Sequence, residues 1–359
     1  MRRLLRFLLW LPGWAWNTVW RHWLPVLWYP ASFLRSHRQL VSLWPEGGIQ
    51  VGPRVALFAH FDRGGAMRAH TLAYLSALRD AGLSVVLVTN AGRLRPEAMA
   101  ALQTSCAGVI VRRNVGYDFG ALREGIEILD LPRPDTEMLL LANDSVYGPL
   151  QPLGPVLERL DFTRADLWGL TESWQTRYHL QSYFLAIGRA ALTSPAWTEF
   201  WRGVRPVSSK WWVIRHYEIG LTQRLLRAGL RAQALWRYQD LTGGMPAAPK
   251  LGPEFYIGDD DIGEDDDPRL LDPLARQRLA QLLNIRKAMA GRRALNPTSD
   301  FWRQLLDAGF PFLKRELLRL NPGKVGDLAD WREVVRANSG ADLDAIERDL
   351  QRVMRNRAP

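Results

Sequence analysis

The sequence predicts an α/β fold with a mostly parallel sheet flanked by helices, and three observations lead to this prediction. From Val51 onward, apolar runs of strand length alternate with segments of helical periodicity. The connections between them are short, which is typical of parallel strands covered by helices on both faces. Asn and Asp residues follow the ends of several strands, where sheets of this class bind their ligands.

The first half of the chain contains four predicted strands and three predicted helices. The strands are predicted at residues 55–59, 83–88, 108–111 and 138–142. The helices lie between them: one with Leu72, Leu75 and Leu78 on one side, one at residues 96–103, and one with Phe119, Leu122, Ile126 and Leu129 on one face. Each helix therefore joins two neighbouring strands.

The second half is predicted to continue this pattern before it becomes helical. We expect helices at 156–160, 195–201 and 217–228, and strands at 167–170 and 179–187. The acidic stretch 258–268 lacks the ligand spacing of an EF-hand, so we predict a solvated loop and not a calcium site. From Leu270 onward the chain is predicted to be helical, with a final apolar stripe of Leu343, Ile346, Leu350 and Val353.

Composition and charge limit the function classes. The chain of 359 residues has a single cysteine, Cys106, which excludes an internal disulfide and fits a reducing compartment. The net charge of +10 is concentrated in residues 1–45, which carry six arginines, no acidic residue and seven of the sixteen tryptophans. Arginine and tryptophan together favour the surface of an anionic membrane, so we do not expect a nucleic-acid partner.

The same N-terminal segment is not predicted to span the membrane. Its uncharged runs, 7–20 and 22–34, are shorter than the roughly 20 residues that a spanning helix needs, and prolines interrupt both. No small-x-small cleavage site follows, which disfavours a signal peptide. We expect residues 1–48 to form a membrane-interfacial segment; packing on its own domain or on a partner protein is the alternative.

Several familiar active-site signatures are missing from the sequence. It contains no Walker A motif, no G-x-G-x-x-G after a strand, no H-E-x-x-H and no G-x-S-x-G. Kinase-like, dinucleotide-binding, zincin and serine-hydrolase functions therefore lose their main support.

Polar residues follow the predicted strands at Asp62, Asn90, Asn114 and Asp144, and these would gather at one edge of a parallel sheet. Asp144 belongs to Asn143-Asp144-Ser145. A carboxylate in this place can hold Mg²⁺ or Mn²⁺ against a diphosphate. An Asx turn or a helix cap after a core strand explains the same residues equally well.

The turn Asn114-Val115-Gly116-Tyr117-Asp118 also has two interpretations. Gly116 can supply a positive φ, and Asp118 can cap a helix that begins at Phe119. In the functional interpretation, backbone N–H groups, Asn114 and Arg113 approach the phosphates or the sugar of a nucleotide. Arg112 and Arg113 can equally be solvated charges.

Three further residues are candidates for catalysis. Glu218, near the start of the predicted 217–228 helix, can be a general base or can simply be stabilised by the helix dipole. Glu172 follows a strand and is a second candidate base. His179 is either a polar core histidine or a donor to a substrate phosphate.

These segments together resemble the rhamnan synthesis protein F family of bacterial polysaccharide biosynthesis. The resemblance lies in RNVGYDFGALREG, LLANDSVYGPL, DLWGLTES, HLQSYFLAI and YEIGLTQRLLRAG, and in NPTSDFWRQLLDAGFPFLKRELLRLNP at residues 296–322. These pieces occur in the same order as in the family and cover the chain from about residue 55 to residue 322. Several such pieces in sequence are far more specific than any one of them.

The resemblance implies a GT-A-like nucleotide-sugar-binding domain. In that family pattern, Asn143-Asp144-Ser145 stands in the place of the D-x-D metal motif, with Ser145 instead of the second carboxylate. Asp144 is then the metal-ligand candidate for Mg²⁺ or Mn²⁺, and metal use stays open. Glu218 corresponds to the catalytic base of inverting members, and Asp62 and Asn90 to residues that hold the base and ribose of the nucleotide.

The implied reaction is transfer of L-rhamnose, or a related deoxysugar, from a dTDP-sugar to a lipid-linked cell-surface polysaccharide such as rhamnan or O-antigen. It would take place at the cytoplasmic face of the bacterial inner membrane, beside other polysaccharide assembly proteins. The implied domains are the segment 1–48, a transferase domain at 50–250, a C-terminal family region at 251–322 and a helical tail at 323–359. A non-catalytic scaffold that binds nucleotide-sugar or glycan is the alternative.

Overall fold

A computed structural model describes residues 39–207, 209–243 and 273–355 of the chain. Most of the predicted interfacial segment and the whole predicted acidic loop 258–268 lie outside these residues. None of the helices in the described part of the chain combines the length and the apolar composition that crossing a bilayer requires.

Eleven strands occur in the described residues. In chain order they are β1 Leu40–Trp44, β2 Arg54–His60, β3 Ser84–Thr89, β4 Gly108–Arg112, β5 Met138–Asn143, β6 Val146–Tyr147, β7 Leu167–Ser173, β8 His179–Leu180, β9 Phe184–Gly188, β10 Ala232–Trp236 and β11 Leu313–Lys314.

The described helices alternate with these strands and then dominate the C-terminal region. They are α1 Ala69–Asp80, α2 Pro96–Gln103, α3 Tyr117–Leu129, α4 Leu153–Glu158, α5 Arg189–Leu192, α6 Pro195–Gly203, α7 Lys210–Trp212, α8 Ile219–Arg227, α9 Tyr238–Gly243, α10 Pro273–Ala290, α11 Pro297–Asp300, α12 Trp302–Asp307, α13 Arg315–Leu320, α14 Trp331–Asn338 and α15 Leu343–Arg355. A π-helical segment, Val213–Glu218, joins α7 to α8.

The chain divides into two compact units, each built from separate stretches of sequence. The first unit comprises the described residues of Met1–Ala66, Ser84–Asn143 and Ile187–Arg231. The second unit comprises those of Met67–Leu83, Asp144–Ala186 and Ala232–Pro359.

The sheet of the first unit confirms the predicted α/β fold with mostly parallel strands. Its strand order is β1-β4-β3-β2-β5, in which β2, β3, β4 and β5 run parallel and β1 pairs antiparallel with β4. The register places His60 opposite Thr89 and Ala59 opposite Asn143, so the carboxyl ends of the strands lie at one edge. All residues of β4 and β5 are buried, which explains their continuous apolar sequences.

Helix α3 lies on this sheet with a close approach at Gly125. A Cβ atom at this position would lie 2.9 Å from Cγ2 of Val88. The buried face of the helix includes the predicted Phe119, Leu122, Ile126 and Leu129. The helix begins at Tyr117, two residues before the predicted start.

The second unit contains a small sheet and a helical core. Strand β7 pairs parallel with β10 and antiparallel with β8, and β6 pairs antiparallel with β11. One apolar cluster joins β6 and β11 to the C-terminal helices and contains Tyr147, Leu150, Trp302, Leu306, Leu313, Leu317, Val325, Trp331, Val335, Leu343 and Ile346. Of the predicted apolar stripe of the last helix, Leu343 and Ile346 belong to this core and Leu350 packs against it.

Three local predictions need correction. The predicted strand 179–187 is two strands, β8 and β9, because residues 181–183 leave the extended conformation. The C-terminal region is not wholly helical, because β11 pairs with β6. Residues 40–44 of the predicted interfacial segment form strand β1, which pairs with β4. Because β4 is distant in sequence, the local pattern of residues 40–44 did not indicate this pairing.

Candidate functional site

The carboxyl edge of the first unit is held together by hydrogen bonds between neighbouring strand ends. His60 Nδ1 lies 3.0 Å from Thr89 Oγ1, and the Asn90 amide donates to the His60 carbonyl at 2.8 Å. His60, Thr89 and Asn90 are all buried. The ends of β2 and β3 therefore form a rigid base for the loops that follow them.

Arg112 connects this base to the turn that precedes α3. Its guanidinium donates to Glu124 Oε2 at 2.7 Å, to the Val115 carbonyl at 3.0 Å and to Asn90 Oδ1. Burial lowers the pKa of Arg112, and the hydrogen bond and charge of Glu124 oppose this shift. Because Arg112 is only 2% exposed, its interpretation as a solvated charge is wrong. The side chain is buried and stabilises the fold by donating to three protein acceptors.

Asn90 is engaged in the same network. Its side-chain oxygen accepts from Arg112, and its side-chain nitrogen donates to the Tyr117 carbonyl at 3.2 Å. The residue is 2% exposed. These contacts favour a structural role for Asn90, and its predicted contact with a nucleotide stays a prediction.

The turn after β4 agrees with the structural interpretation at Gly116, but the prediction that Asp118 caps a helix beginning at Phe119 is wrong. Gly116 has a φ of 85°, and a Cβ there would lie 2.8 Å from Cα of Pro206, so only glycine fits without strain. Asp118 lies in the first turn of α3, and no side chain caps this helix. Arg113 and Asn114 are exposed, as residues that contact a ligand must be.

Asp118 and Asn143 meet at the same edge. Asn143 Nδ2 donates to Asp118 Oδ2 at 3.2 Å, which joins the end of β5 to the start of α3. Asp118 is half-buried, and Asn143 is buried. Two of the predicted nucleotide-sugar-binding residues are thus brought into direct contact.

Asp62 caps its own loop. Its Oδ1 accepts from the Gly64 amide at 2.9 Å and from the Ala66 amide at 3.1 Å. This is the arrangement of an Asx turn. The role predicted for Asp62 in holding the nucleotide is not tested by these contacts.

Glu218 lies at the junction between the π-helical segment and α8. Helical structure begins at Lys210, so Glu218 is not in a first turn and the helix-dipole interpretation is wrong. The preceding Tyr217 fixes the segment: its hydroxyl donates to the Arg205 carbonyl at 3.0 Å, and its ring lies 5.8 Å from that of Phe119. Single π-helical turns inside α-helices are frequent at functional sites.

In the second unit, Asp144 is paired with an arginine. Arg315 Nη1 donates to the Asp144 carbonyl at 2.7 Å and to its Oδ2 at 3.3 Å. The other nitrogen, Nη2, donates to Asp349 Oδ2 at 2.9 Å. Burial works to lower the pKa of Arg315, but the charges of Asp144 and Asp349 outweigh it and raise the pKa above its ordinary value.

The pairing of β6 with β11 brings a second cation to the same place. Lys314 lies opposite Val146 in the register, and its Nζ donates to Ser145 Oγ at 3.0 Å. The Nζ atom also lies 4.9 Å from the centre of the Tyr183 ring. Asp144 and Ser145 therefore have Lys314 and Arg315 beside them.

Tyr147, His70 and Asp349 complete this cluster. The Tyr147 hydroxyl donates to Asp349 Oδ2 at 2.8 Å, and the ring of His70 packs edge-on at 5.1 Å against that of Tyr147. Burial, with the nearby Arg315 charge, lowers the pKa of His70 to about 4. His70 is therefore neutral at pH 7. Both of its ring nitrogens are buried and have no hydrogen-bond partner among the described residues.

Glu172 and His179 both belong to the β7–β8 hairpin and are buried. Glu172 Oε1 accepts from the Tyr238 amide at 2.9 Å. His179 Nδ1 lies 2.8 Å from the Arg177 carbonyl, which can only accept, so this nitrogen carries the proton. The core interpretation of His179 is favoured, and the catalytic roles of both residues stay predictions.

The residues around Asp144 do not fit a divalent cation well. Among the described residues, no group of three or more His, Cys, Asp and Glu side chains is arranged to hold a metal ion. Mg²⁺ and Mn²⁺ prefer oxygen ligands, and the only strong one in the motif, the Asp144 carboxylate, already pairs with Arg315. We therefore derive no step through a metal.

With this geometry in view, the family resemblance can be tested by comparison. Residues 85–252 match the family model described as Rhamnan synthesis protein F. The resemblance predicted from the sequence is confirmed over these residues. They include every predicted site residue except Asp62.

Two curated relatives share part of the chain. An uncharacterized protein, y4gN, of Sinorhizobium fredii (strain NBRC 101917 / NGR234) is 30% identical over 55% of this chain and 52% of its own length. The virulence protein VirA of Vibrio anguillarum (strain ATCC 68554 / 775) is 28% identical over 61% of this chain and 64% of its own length. The match thus spans about half to two thirds of the length of these relatives.

Among solved structures, the chain is similar to a mannosyltransferase, PcManGT from Pyrobaculum calidifontis in complex with GDP-Man and Mn²⁺. The identity is 14%, the TM-score is 0.34, and the match covers 92% of this chain and 87% of that one. A cytidylyltransferase from Leptospira borgpetersenii serovar Hardjo-bovis (strain JB197) has 10% identity and a TM-score of 0.30, over 52% of this chain and 76% of that one. Likeness at this level carries no argument about activity.

The residues that contact Asp144 and Ser145 were not among the predicted site residues. Lys314 and Arg315 lie about 170 residues away in sequence, at positions where a basic pair is usually solvated. The available signal was their place inside residues 296–322, which resembles the family's downstream segment. No role was assigned to that segment.

Proposed function

We propose that this chain is a glycosyltransferase that moves a sugar from a nucleotide diphosphate to a glycan. The observation that carries the proposal is the family match over residues 85–252, which contain the strand-end turn, the Asn143-Asp144-Ser145 motif and Glu218 in order. The polar residues at the carboxyl edge of the first unit support it, because ligands of α/β sheets bind there. GT-A-like architecture is part of this proposal.

In the proposed reaction, the oxygen of an acceptor hydroxyl attacks the anomeric carbon of the donor sugar. The bond from that carbon to the diphosphate oxygen breaks, and its electron pair leaves with the diphosphate. The hydroxyl proton passes to the Glu218 carboxylate, which acts as general base. This course inverts the anomeric configuration.

The finer features follow from the family name and stay proposals. The donor is dTDP-rhamnose or a related deoxysugar nucleotide, and the acceptor is a lipid-linked polysaccharide such as rhamnan or O-antigen. The segment 1–38 holds the protein peripherally at the cytoplasmic face of the inner membrane. Deleting residues 1–38, which leaves β1 intact, is expected to release the protein into the soluble fraction; continued sedimentation with membranes would refute this anchor.

Turnover of dTDP-, UDP- and GDP-sugars with a lipid-linked acceptor tests the proposed activity. We expect transfer from one donor class, and we expect Glu218→Gln to lower the rate by about 10²- to 10⁴-fold, since it removes the general base. Glu97→Gln, an exposed carboxylate in α2, is the matched control and should keep the wild-type rate. Full activity of Glu218→Gln would exclude its role as base.

A non-catalytic scaffold is the second candidate, and the pairing of Asp144 with Arg315 favours it. A carboxylate held by a guanidinium is less suited to metal-assisted transfer. Binding of a nucleotide sugar without any turnover would support the scaffold and exclude the transferase.

A further inference from the structure

Polar atoms without partners surround Asp144 in the second unit. The Nε of Arg315 and both ring nitrogens of His70 are buried and bond to no described residue. A buried donor that makes no hydrogen bond is costly, and such atoms are rare in native proteins. A ligand that contacts Arg315 and His70 would satisfy these three atoms.

These atoms belong to one contiguous cluster. Tyr147 lies between its two halves: the Arg315 guanidinium carbon is 5.4 Å from the centre of the Tyr147 ring, and the His70 ring packs on the same ring at 5.1 Å. Arg68 Nε lies 4.0 Å from Asp349 Oδ1 and adds a further positive charge. A ligand in contact with the cluster would therefore meet donors from several directions.

The charges of the cluster select the class of ligand. Arg315 and Lys314 present N–H donors, and a neutral His70 carries one ring N–H. The three positive charges of Arg68, Lys314 and Arg315 exceed the two negative charges of Asp144 and Asp349 by one. A metal ion at Asp144 would face the guanidinium charge at short range. An anion with several oxygens would instead accept from these donors, and a planar guanidinium matches phosphate oxygens particularly well.

We propose that Lys314 and Arg315 form a diphosphate-binding site that works without a divalent cation, with Lys314 in direct contact with the phosphate oxygens. This inference rests on the proposed function, since it concerns the diphosphate of the same donor. Lys314 and Arg315 supply the positive charge that offsets the charge developing on the leaving diphosphate. Asp144 acts as a positioning residue that holds the Arg315 guanidinium.

The β6–β11 pairing explains how the site is kept in place. The Arg315 amide donates to the Ser145 carbonyl at 3.1 Å, and Leu313 lies opposite Tyr147. Leu313 and Tyr147 are both buried in the C-terminal apolar cluster. The backbone that carries Lys314 and Arg315 is thus fixed to the backbone of Ser145 and Tyr147.

Calorimetric titration of the full chain with dTDP, UDP and GDP tests this site. For wild type, the Kd of the nucleotide that binds is expected to agree within about twofold between excess EDTA and excess Mn²⁺. Lys314→Ala is expected to raise that Kd by about tenfold or more, the loss of one charge-assisted hydrogen bond. Lys314→Arg, which keeps the charge, should recover most of the affinity.

Lys287→Ala is the matched control, because Lys287 is exposed on α10 in the same unit. It should bind like wild type. Tight binding only with Mn²⁺ would overturn the metal-free site and leave the transferase proposal standing. Equal affinity of Lys314→Ala and Lys287→Ala would overturn the assignment to Lys314. Binding of none of the three nucleotides, with or without Mn²⁺, would overturn both proposals.

Discussion

Two arginines near strand ends, Arg112 in the first unit and Arg315 in the second, have opposite surroundings. Arg112 is 2% exposed and donates to Glu124, Asn90 and the Val115 carbonyl. The Arg315 side chain is 13% exposed, pairs with two carboxylates, and keeps a buried Nε without a partner among the described residues.

The difference distinguishes Arg112, which stabilises the fold, from Arg315, which we propose binds a ligand. Satisfied on three sides by protein acceptors, Arg112 has little to offer a substrate. Arg315 lies next to a second cation, Lys314, and beside a neutral histidine with unsatisfied nitrogens. Glu124, the partner of Arg112, also has a buried oxygen without a hydrogen-bond partner among the described residues. The contrast between the two arginines therefore lies in the neighbouring Lys314 and His70 and not in burial alone.

The largest effect should come from Arg112→Leu. It leaves the buried Glu124 carboxylate without its cation and removes the donor to Asn90, so the free energy of unfolding should fall by about 3–5 kcal/mol. Equilibrium unfolding in guanidinium chloride measures the change. The neighbouring Arg113→Ala, at an exposed position, should change it by less than about 0.5 kcal/mol. Similar small effects of both variants would mean that Arg112 does not stabilise the fold.

A smaller, pH-dependent effect is expected from His70. Its pKa is lowered to about 4 in the folded chain, against an ordinary value near 6.5, so the unfolded chain binds more protons between these values. The stabilising contribution of neutral His70 is therefore complete above about pH 6.5 and is lost as the pH falls toward 4.

Unfolding free energies of wild type and His70→Leu, measured from pH 7 to pH 4, test this expectation. The wild type should lose up to about 3 kcal/mol more than the variant over this range. Asp349 also has a lowered pKa: burial is the largest single cause and opposes the shift, but the Arg315 charge and the hydrogen bonds from Tyr147 and Arg315 together outweigh it. The stabilisation that ionised Asp349 contributes is lost only as the pH falls below the ordinary pKa of an aspartate. Parallel pH profiles of the two proteins would refute the buried neutral histidine.

Gly116→Ala should have a still smaller effect on stability. Alanine at a φ of 85°, with its Cβ 2.8 Å from Pro206 Cα, strains the turn, and we expect a loss of about 2 kcal/mol. Gly154→Ala is the matched control, since a Cβ there meets nothing within 4 Å. Denaturant unfolding of both variants measures the effect. If Gly116→Ala unfolds at the same denaturant concentration as the wild type, the turn relaxes and the predicted strain is absent.

Much of the first unit could be predicted from the sequence. The central residues of strands such as β3 and β5 are apolar because they are buried on both faces, and polar residues mark where the strands end. Helix α3 was recognisable from its apolar face. Such local patterns do not depend on distant partners.

The networks around the two arginines could not be predicted, because they join residues far apart in sequence. The sequence does not distinguish an exposed arginine at a strand end, such as Arg113, from a buried one, such as Arg112. The two-residue strand β11 is too short for a periodic signal, yet it brings Lys314 and Arg315 to the motif. Glu218 lies within a helical segment and not at its start, because helical structure begins eight residues earlier, at Lys210. The sequence pattern did not indicate this earlier start.

The central claim is that the chain binds a nucleotide diphosphate sugar. Thermal unfolding of the full chain with dTDP-rhamnose, UDP-glucose or GDP-mannose tests it most directly, since a ligand at a hundred times its Kd stabilises the folded state by about 2.7 kcal/mol. We predict that one of the three raises Tm by about 2–4 °C in excess EDTA. An unchanged Tm with all three sugars, in EDTA and in Mn²⁺ alike, would contradict the claim.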